Sequence, residues 1–363
     1  MSCCIVIPAY RPGPELAGYV RSLLELLHGP VVVVDDGSGP AYQPIFEEAG
    51  AIEGCVLLRH PENRGKGAGI KTAIRWYRAQ KVRWAGIVTA DCDGQHIPKD
   101  VAAVAAALEA QPDALVLGGR TFGPDTPRRS LMGNRAVSAV LAALYGIHLE
   151  DSQTGLRGLP HGLMPVLESL AGDRYEYELN MLLELHRRCV PFVTVPITTL
   201  YFDNNAGSHY RTVKDTLPII RLLGKGLLQY IISSSLSALV DVAAYALLVK
   251  LVFAPLEFLQ RLAVSAAIAR LLSSVVNYGC NRRLPYVQEQ RILPTAVRYY
   301  TLWAVQLLAS ILLSWSFCTL LHWDELWVKL LVDLLLAAAS YQVQLRWVFR
   351  AAPSSLPEER TAP

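Results

Sequence analysis

The sequence is short of charged residues, which make up 18% of its 363 positions against about 25% in an ordinary soluble domain. Apolar residues account for 52% and the mean hydropathy is +0.28, so a disordered chain is excluded. The formal net charge of +3 is too small to indicate a nucleic-acid-binding surface. Seven cysteines are scattered without a C-x-x-C pair, which excludes a disulfide scaffold and predicts reduced thiols.

Several nucleotide-binding and catalytic signatures are also missing. A Walker A loop ending in Lys71-Thr72 would need glycine where Ile70 stands, and no G-x-G-x-x-G turn follows the first apolar run. These absences exclude an ATPase and a dinucleotide-dependent dehydrogenase. No Ser/His/Asp or Cys/His triad can be identified. No signal peptide is expected, because the first apolar run has no basic region before it and stops at Pro8.

The first 210 residues alternate short apolar runs with longer amphipathic stretches. This alternation is typical of β-α-β units around a mostly parallel sheet, and it predicts a soluble α/β domain over residues 1–210. The predicted strands are Cys4–Ile7, Val31–Val34, Cys55–Leu58, Ala85–Thr89, Ala114–Leu117 and Phe192–Val195. The predicted helices are Glu15–Leu27, Gly67–Ala79, Lys99–Ala110, Asn134–Tyr145 and Tyr177–Arg188.

The rest of the chain is more apolar and contains four stretches long enough to cross a bilayer, which needs about 20 residues each. They are Leu227–Leu251, Leu259–Cys280, Ala296–Leu321 and Leu326–Trp347. They predict an all-α domain of four transmembrane helices over residues 226–350, followed by a disordered cytoplasmic tail over 351–363. Tyr278 and Arg283 recur 63 residues later as Tyr341 and Arg346, which indicates a duplicated two-helix hairpin.

The basic residues predict the orientation in the membrane. The connection 282–291 holds three arginines, whereas 253–258 and 322–325 hold no Lys or Arg. Basic connections stay in the cytoplasm, so we expect the α/β domain and both termini on the cytoplasmic side of the inner membrane. Residues 211–225 mix basic and apolar side chains, which predicts an amphipathic linker at the anionic lipid surface, interrupted at Pro218.

Two acidic turns follow predicted parallel strands, the place where open α/β sheets bind ligands. Asp91 and Asp93 are two residues apart and Gln95 follows them, and their oxygens are ligands that a hard divalent cation prefers. A solvated acidic turn is the alternative. Asp36 follows the second strand, where its carboxylate could accept hydrogen bonds from a ribose or a base.

Basic residues that could bind phosphate come from several regions. The glycines around Lys66, in residues 63–69, would let the backbone of a helix N-terminus approach a phosphate. Arg120 follows a strand, Arg128 begins a helical stretch, and Arg157 is predicted in a loop. Their guanidinium groups could clamp a diphosphate or a lipid phosphate, with a surface salt bridge as the alternative for any one of them.

These motifs occur in the order seen in one enzyme family. They are Ile5-Val-Ile-Pro8-Ala-Tyr10, Val33-Val-Asp35-Asp36-Gly-Ser38, Asn63-x-Gly-Lys-Gly67, Asp91-x-Asp93-Gly-Gln95-His96, Gly119-Arg120 and Asp151-x-x-Thr154-Gly155-x-Arg157. Over about residues 4–215 the chain resembles family 2 glycosyltransferases of the dolichol-phosphate mannose synthase and bacterial polyprenyl-phosphate glycosyltransferase branch. The four-span half resembles GtrA-type membrane domains.

The resemblance implies a GT-A fold that uses a nucleotide-diphosphate sugar and Mg²⁺ or Mn²⁺. By matching position, the nucleotide would be bound by Pro8, Tyr10, Asp36, Lys66 and Asp91. The metal would be held by Asp91, Asp93 and Gln95, the reacting phosphates would be faced by Asp93, Arg120 and Arg128, and the lipid phosphate would be bound by Arg211 and Lys214. Arg11-Pro12 stand where many members have Asn-Glu, which leaves the nucleobase open.

The expected function is therefore inverting transfer of a hexose from a donor of the GDP-mannose or UDP-glucose type to a polyprenyl phosphate at the cytoplasmic face. A lipid phosphate has a second pKa of about 6 and is largely ionised at pH 7, so it needs positioning more than a general base. One alternative is a lipid-linked-sugar translocation protein whose α/β half only binds the sugar nucleotide. The other is transfer to a hydroxyl acceptor, with Glu176 or Glu178 as the base.

Overall fold

The fold is described from a computed structural model over residues 2–121, 128–198, 212–283, 292–321 and 325–349. The chain divides into two compact units. The first contains residues 1–142 and 147–222, and the second contains residues 143–146 and 223–353. The boundary at residues 222 and 223 lies inside the stretch predicted as a linker.

The first unit is built on one seven-stranded sheet. Its strands are β1 (Cys4–Ala9), β2 (Val31–Asp35), β3 (Cys55–Arg59), β4 (Gly86–Thr89), β5 (Leu115–Arg120), β6 (Arg157–Pro160) and β7 (Phe192–Ile197). They lie in the order β3-β2-β1-β4-β6-β5-β7, and every pairing is parallel except those of β6, which runs antiparallel to β4 and β5. The carboxyl ends of β1, β2, β4 and β5 therefore share one edge with the start of β6.

Helices cover this sheet, and the central strands are apolar for that reason. Every residue of β1 and β2 is buried, as expected for parallel strands with helices on both faces. The helices are α1 (Leu16–Leu26), α2 (Gln43–Gly50), α3 (Lys66–Ala79), α4 (Pro98–Ala110), α5 (Arg128–Tyr145), α6 (Met164–Ser169) and α7 (Glu176–Arg187). The six predicted strands and five predicted helices of this unit are all present, with ends shifted by a few residues.

One strand was not predicted. β6 has the sequence Arg-Gly-Leu-Pro, which lacks the β-branched residues that mark a strand. Arg157 was predicted in a loop, and this was wrong: it is the first residue of β6 and only 1% exposed. Its guanidinium donates to the backbone carbonyls of Thr154 and Glu178 at 2.9 and 2.7 Å. Arg157 therefore stabilises the fold from inside and does not present its charge to a ligand.

The second unit is all helical. Its helices are α8 (Thr212–Leu247), α9 (Phe258–Arg282), α10 (Ile292–Leu321) and α11 (Glu325–Val343), and π-helical turns follow α8 at Leu248–Val252 and α11 at Gln344–Val348. The predicted interruption at Pro218 is absent, because α8 continues through this residue. Among the described residues, Leu228–Val252 is the stretch found long and apolar enough to cross a membrane.

Polar side chains connect the helices of this second unit. Asn281 on α9 donates to the side-chain oxygen of Gln344, just after α11, at 2.9 Å. Midway along α9, the Arg270 guanidinium lies 3.7 Å from the Asp241 carboxylate of α8, and Ser273 Oγ donates to the same carboxylate at 3.1 Å. Charged groups at such depth in a membrane helix are costly unless they are paired, so this ion pair fits a membrane location.

A side-chain contact is repeated in the two helical hairpins. Ser237 Oγ donates to the Ser273 carbonyl at 2.7 Å, which joins α8 to α9. Gln306 Nε2 donates to the Leu336 carbonyl at 3.1 Å, which joins α10 to α11. Ser273 and Leu336 are 63 residues apart, the same spacing as the repeated tyrosines and arginines of the sequence. The contact thus supports the expectation of a duplicated hairpin.

Candidate functional site

The polar side chains singled out in the sequence gather at the carboxyl edge of the sheet, near β1. From β1 the chain passes outward to β2 and β3 on one side and then returns to β4 on the other side of β1. Such a topological switch point opens a crevice in which α/β proteins bind ligands. Tyr10, Asp36, Asp91 and Arg120 each stand at or just after the end of one of these strands.

Asp36 is bound by the protein itself. Its two carboxylate oxygens accept the backbone N–H groups of Arg64 and Gly65 at 2.9 and 2.7 Å. His60 Nδ1 lies 2.8 Å from the same carboxylate, and His60 Nε2 lies 2.9 Å from the hydroxyl of Thr72 on α3. The Asp36 side chain is buried and ties the loop before α3 to the end of β2.

The glycines of residues 63–69 serve this packing and were interpreted differently from the sequence. Gly65 has φ +105°, and a Cβ there would lie 2.5 Å from the Asp173 carbonyl. A Cβ on Gly67 would lie 2.5 Å from Cβ of Tyr177, and a Cβ on Gly69 would lie 3.2 Å from Cβ of Pro8. The expectation that they open the backbone to a phosphate is thus replaced by close packing against the protein.

Pro8 and Tyr10 occupy different positions in the crevice. Pro8 is buried within β1 and faces α3. Tyr10 is partly exposed, and the Arg11 guanidinium lies 5.1 Å from the centre of its ring. Arg11 has φ +51°, a conformation that is uncommon for a residue with a side chain, and its N–H donates to Ser38 Oγ at 2.9 Å. Tyr10 and Arg11 therefore form an exposed, rigidly held pair beside the end of β2.

The loop after β4 positions Asp91. The Asp91 N–H donates to His96 Nδ1 at 3.1 Å, and the hydroxyl of Tyr19 on α1 donates to the His96 carbonyl at 2.6 Å. His96 is 4% exposed, and burial lowers its pKa, so it holds this loop as a neutral imidazole. The preference for a loop histidine over a base at position 96 agrees with this geometry.

Lys66 lies between two carboxylates from distant parts of the chain. Its ammonium is 2.7 Å from Asp91 Oδ1 and 3.0 Å from Glu178 Oε1. Burial alone would lower the Lys66 pKa, but the two carboxylates outweigh it and raise the pKa above its ordinary value. Burial raises the pKa of Asp91, yet the Lys66 charge dominates and the pKa falls to about 2. All three groups are therefore charged at neutral pH.

Gly155 makes room for this ion pair. It precedes β6, and its carbonyl accepts a hydrogen bond from Thr89 Oγ1 at 2.8 Å, which brings its backbone against the end of β4. A Cβ at this position would lie 2.3 Å from Asp91 Oδ2 and 2.7 Å from Lys66 Nζ. A side chain here would displace one of the two charged groups.

The donor set of Asp91, Asp93 and Gln95 fits a hard divalent cation. Burial and the neighbouring Asp91 charge raise the pKa of Asp93, which means that the two carboxylates repel each other. The Gln95 N–H donates to Asp93 Oδ1 at 3.1 Å and folds the turn so that the three side chains belong to one loop. Among the described residues no group of three or more His, Cys, Asp or Glu side chains is arranged to hold a metal. A cation at this loop would thus depend on the amide of Gln95, water or substrate oxygens to complete its coordination.

Arg120 is paired with a carboxylate. Its guanidinium makes a two-point contact with Asp151, with Nε to Oδ2 at 2.6 Å and Nη2 to Oδ1 at 2.8 Å. The Arg120 side chain is 15% exposed and that of Asp151 is fully buried. The fork that was expected to face the reacting phosphates is held against Asp151 in this state.

Three predicted residues are not compared with this geometry. Arg128 begins α5 and Lys214 lies in the first turn of α8, but their side chains fall outside the described part of the chain. Arg211 also lies outside the described residues.

Comparison with known proteins decides the family of both units. Residues 4–159 match the model of glycosyl transferase family 2, and residues 229–349 match the model of the GtrA/DPMS transmembrane domain. The chain is a family 2 glycosyltransferase domain joined to a GtrA/DPMS transmembrane domain. The expected GT-A-like α/β fold, the enzyme class and the presence of a membrane domain are thereby confirmed.

Two relatives align with the first half of this glycosyltransferase. The UDP-N-acetylglucosamine–dolichyl-phosphate N-acetylglucosaminyltransferase of Methanococcus voltae is 27% identical over 217 residues, which cover 55% of this chain and 86% of the relative. The polyprenol monophosphomannose synthase of Mycolicibacterium smegmatis is 25% identical over 205 residues, covering 53% and 76%. The solved glucosyl-3-phosphoglycerate synthase of Mycobacterium tuberculosis with Mn²⁺, UDP-glucose and phosphoglyceric acid has a TM-score of 0.47 and 17% identity, covering 61% and 80%.

Sequence reasoning about this glycosyltransferase missed several partners. Asp151 and Gly155 were noticed as a motif, but the pairing of Asp151 with Arg120 and the close approach of Gly155 to Asp91 were not predicted. Glu178 was considered only as a base for a hydroxyl acceptor, and His60 was not singled out. The spacing of residues offers no signal for these contacts, because the partners are separated by tens of residues and meet only across the sheet.

Proposed function

We propose that this chain is an inverting glycosyltransferase that moves a hexose from a nucleotide-diphosphate sugar to a polyprenyl phosphate at the cytoplasmic face of the inner membrane. The observation that carries the proposal is the Asp91-x-Asp93-x-Gln95 loop at the topological switch point, beside the Lys66 ammonium. The names of the Methanococcus and Mycolicibacterium relatives, which both act on polyprenyl-type lipid phosphates, support the acceptor class. The GtrA/DPMS transmembrane domain supports a lipid acceptor as well.

The residues of the crevice have distinct parts in this proposal. Asp91, Asp93 and Gln95 would hold Mg²⁺ or Mn²⁺, which would stabilise negative charge on the departing nucleoside diphosphate. Tyr10, at the end of β1, would contact the nucleotide, and Lys66 would direct its charge toward the diphosphate. Arg120 and Arg128 would serve the reacting phosphates, Arg120 after leaving one of its two contacts with Asp151.

An acceptor that is already ionised suits the described carboxylates. Glu178 is 9% exposed and paired with Lys66, and Glu176 Oε1 accepts the backbone N–H groups of Asp173 and Arg174 at 3.1 and 3.3 Å. Both carboxylates are engaged with the protein, which disfavours their use as a base for a hydroxyl acceptor. A lipid phosphate attacking the anomeric carbon needs no such base.

The experiment that tests the proposal uses the purified full-length protein in lipid. It is incubated with labelled nucleotide sugars and polyprenyl phosphates, with and without EDTA, and the glycolipid product is measured together with its anomeric configuration. We expect a product of inverted configuration that disappears with EDTA and with Asp93→Ala. Asp113→Ala is the control, because Asp113 is an exposed acidic residue in the turn after α4.

Two outcomes would contradict the proposal. Transfer that survives both EDTA and Asp93→Ala would remove the metal from the mechanism. Donor binding without turnover, combined with altered sidedness of a glycolipid, would instead support the translocation alternative. Arg211→Ala and Lys214→Ala should raise the lipid concentration needed for half-maximal transfer with little effect on donor binding, and an unchanged lipid requirement would remove both residues from the acceptor site.

A further inference from the structure

The Lys66 ammonium joins three elements, and only one of its partners belongs to the proposed metal loop. Lys66 begins α3, Asp91 follows β4 and Glu178 lies in the first turn of α7. The side chains of Lys66, Asp91 and Glu178 are 15%, 33% and 11% exposed. Glu178 Oε1 has no other hydrogen-bond partner among the described residues. Glu178 is therefore committed to Lys66, whereas Asp91 is the more accessible of the two carboxylates.

A divalent cation and Lys66 compete for Asp91. The Lys66 ammonium approaches Asp91 Oδ1 to 2.7 Å, the distance of a strong charge-assisted contact. If a cation takes the Asp91 carboxylate, this contact is weakened or lost. A mostly buried ammonium left without a carboxylate would be strongly disfavoured, because breaking a buried pair strands the remaining charge. Glu178, at 3.0 Å, supplies a second counterion that prevents this.

We propose that Glu178 is a positioning residue that holds Lys66 when a divalent cation takes over Asp91, and that it thereby sets the metal affinity of the site. Held by Glu178 alone, the ammonium stays in the crevice and can turn part of its charge toward a phosphate oxygen of the donor. The inference rests on the proposed function, in which Asp91 binds the metal. A purely structural salt bridge between α3 and α7 would not respond to metal.

Binding of Mn²⁺ to the full-length protein in detergent, followed by electron paramagnetic resonance without nucleotide, tests this directly. Lys66→Met removes the competitor and should tighten Mn²⁺ binding. Glu178→Gln leaves Lys66 dependent on Asp91 and should weaken it. Loss of one nearby negative charge would also weaken binding through space, so Glu178→Gln is repeated in the Lys66→Met protein, where it should have little effect. We expect a coupling of about tenfold in the dissociation constant between the two positions.

Glu176→Gln is the matched control for this cycle. It removes the same charge from the same turn of α7, but the Glu176 carboxylate accepts backbone N–H groups of residues 173 and 174. We expect wild-type Mn²⁺ affinity in this variant. Glu178→Asp keeps the charge on a shorter side chain and should fall between wild type and Glu178→Gln, which keeps the test decisive if Glu178→Gln folds poorly.

The outcomes separate the two levels of the proposal. If Glu178→Gln weakens Mn²⁺ binding equally with and without Lys66, the carboxylate acts through space and the positioning role is wrong. If Lys66→Met fails to tighten binding, the competition for Asp91 is wrong. If the wild-type protein binds no Mn²⁺, or if Asp91→Asn binds it as well as wild type, the proposed metal site itself fails, and the role of Glu178 fails with it.

Discussion

Replacing Asp36 distinguishes a nucleotide ligand from a residue that holds the fold. The resemblance implies that Asp36 contacts the nucleotide, whereas its carboxylate accepts two backbone N–H groups and contacts His60 within the protein. Asp36→Ala would leave the N–H groups of Arg64 and Gly65 without their acceptor beside a position that is 3% exposed in the native protein. We therefore expect this variant to lose stability first.

The magnitude follows from those two donors. A buried donor left unsatisfied costs about 1–3 kcal/mol, so two of them cost about 2–6 kcal/mol. A unit of about 200 residues loses about 2–4 °C in unfolding temperature for each kcal/mol, which predicts a decrease on the order of 10 °C. Thr72→Val is the control, because it removes one neutral hydrogen bond to His60 and should cost only about 1 kcal/mol.

Scanning calorimetry of the full-length protein measures the decrease, and hydrogen exchange of the peptide over residues 60–69 locates it. Exchange at Arg64 and Gly65 should accelerate in Asp36→Ala and stay slow in Thr72→Val. Nucleotide binding is measured at a temperature where both variants are folded. An unchanged unfolding temperature together with lost nucleotide binding would refute the reasoning and return Asp36 to the role of a ligand.

Three further predictions concern other parts of the molecule. Gly155→Ala should reduce glycosyl transfer at least tenfold and cost about 1–3 kcal/mol in stability, because its Cβ would lie 2.3 Å from Asp91 Oδ2; wild-type activity and calorimetry would contradict this. The Asp91 pKa of about 2, lowered from 3.8, stabilises the folded state fully above about pH 4, and this contribution is lost as the pH falls through 2, so Asp91→Asn should show a shallower acid-unfolding curve; an identical curve would count against the Lys66 ion pair. Asn281→Ala should lower stability in detergent by about 1–2 kcal/mol through loss of its contact with Gln344, and an unchanged unfolding temperature would show that the contact contributes little.

The sequence predicted the elements of the first unit well, because strand and helix periodicity are local. β6 escaped prediction, since a buried Arg157 followed by glycine has neither the alternation nor the β-branched residues of a strand. Its antiparallel direction depends on pairing with β4 and β5, which are distant in sequence.

The candidate site was predicted in its residue types and only partly in their partners. The positions of Asp91, Asp93 and Gln95 follow from the end of β4, and a parallel sheet brings strand ends together at one edge. The contacts that decide what each side chain can do are long-range. Lys66 meets Glu178 across 112 residues, and Arg120 meets Asp151 across 31.

The sequence by itself determined that an α/β unit precedes a membrane unit and that acidic and basic groups follow the strands, because apolar periodicity and residue chemistry are properties of neighbouring positions. Only the tertiary structure decided that Asp36 is satisfied by backbone amides, that Arg157 is buried and that Lys66 is shared between Asp91 and Glu178. The physical reason is that a charge interacts with whatever the fold brings within a few ångströms, and that neighbourhood is created by packing across the sheet.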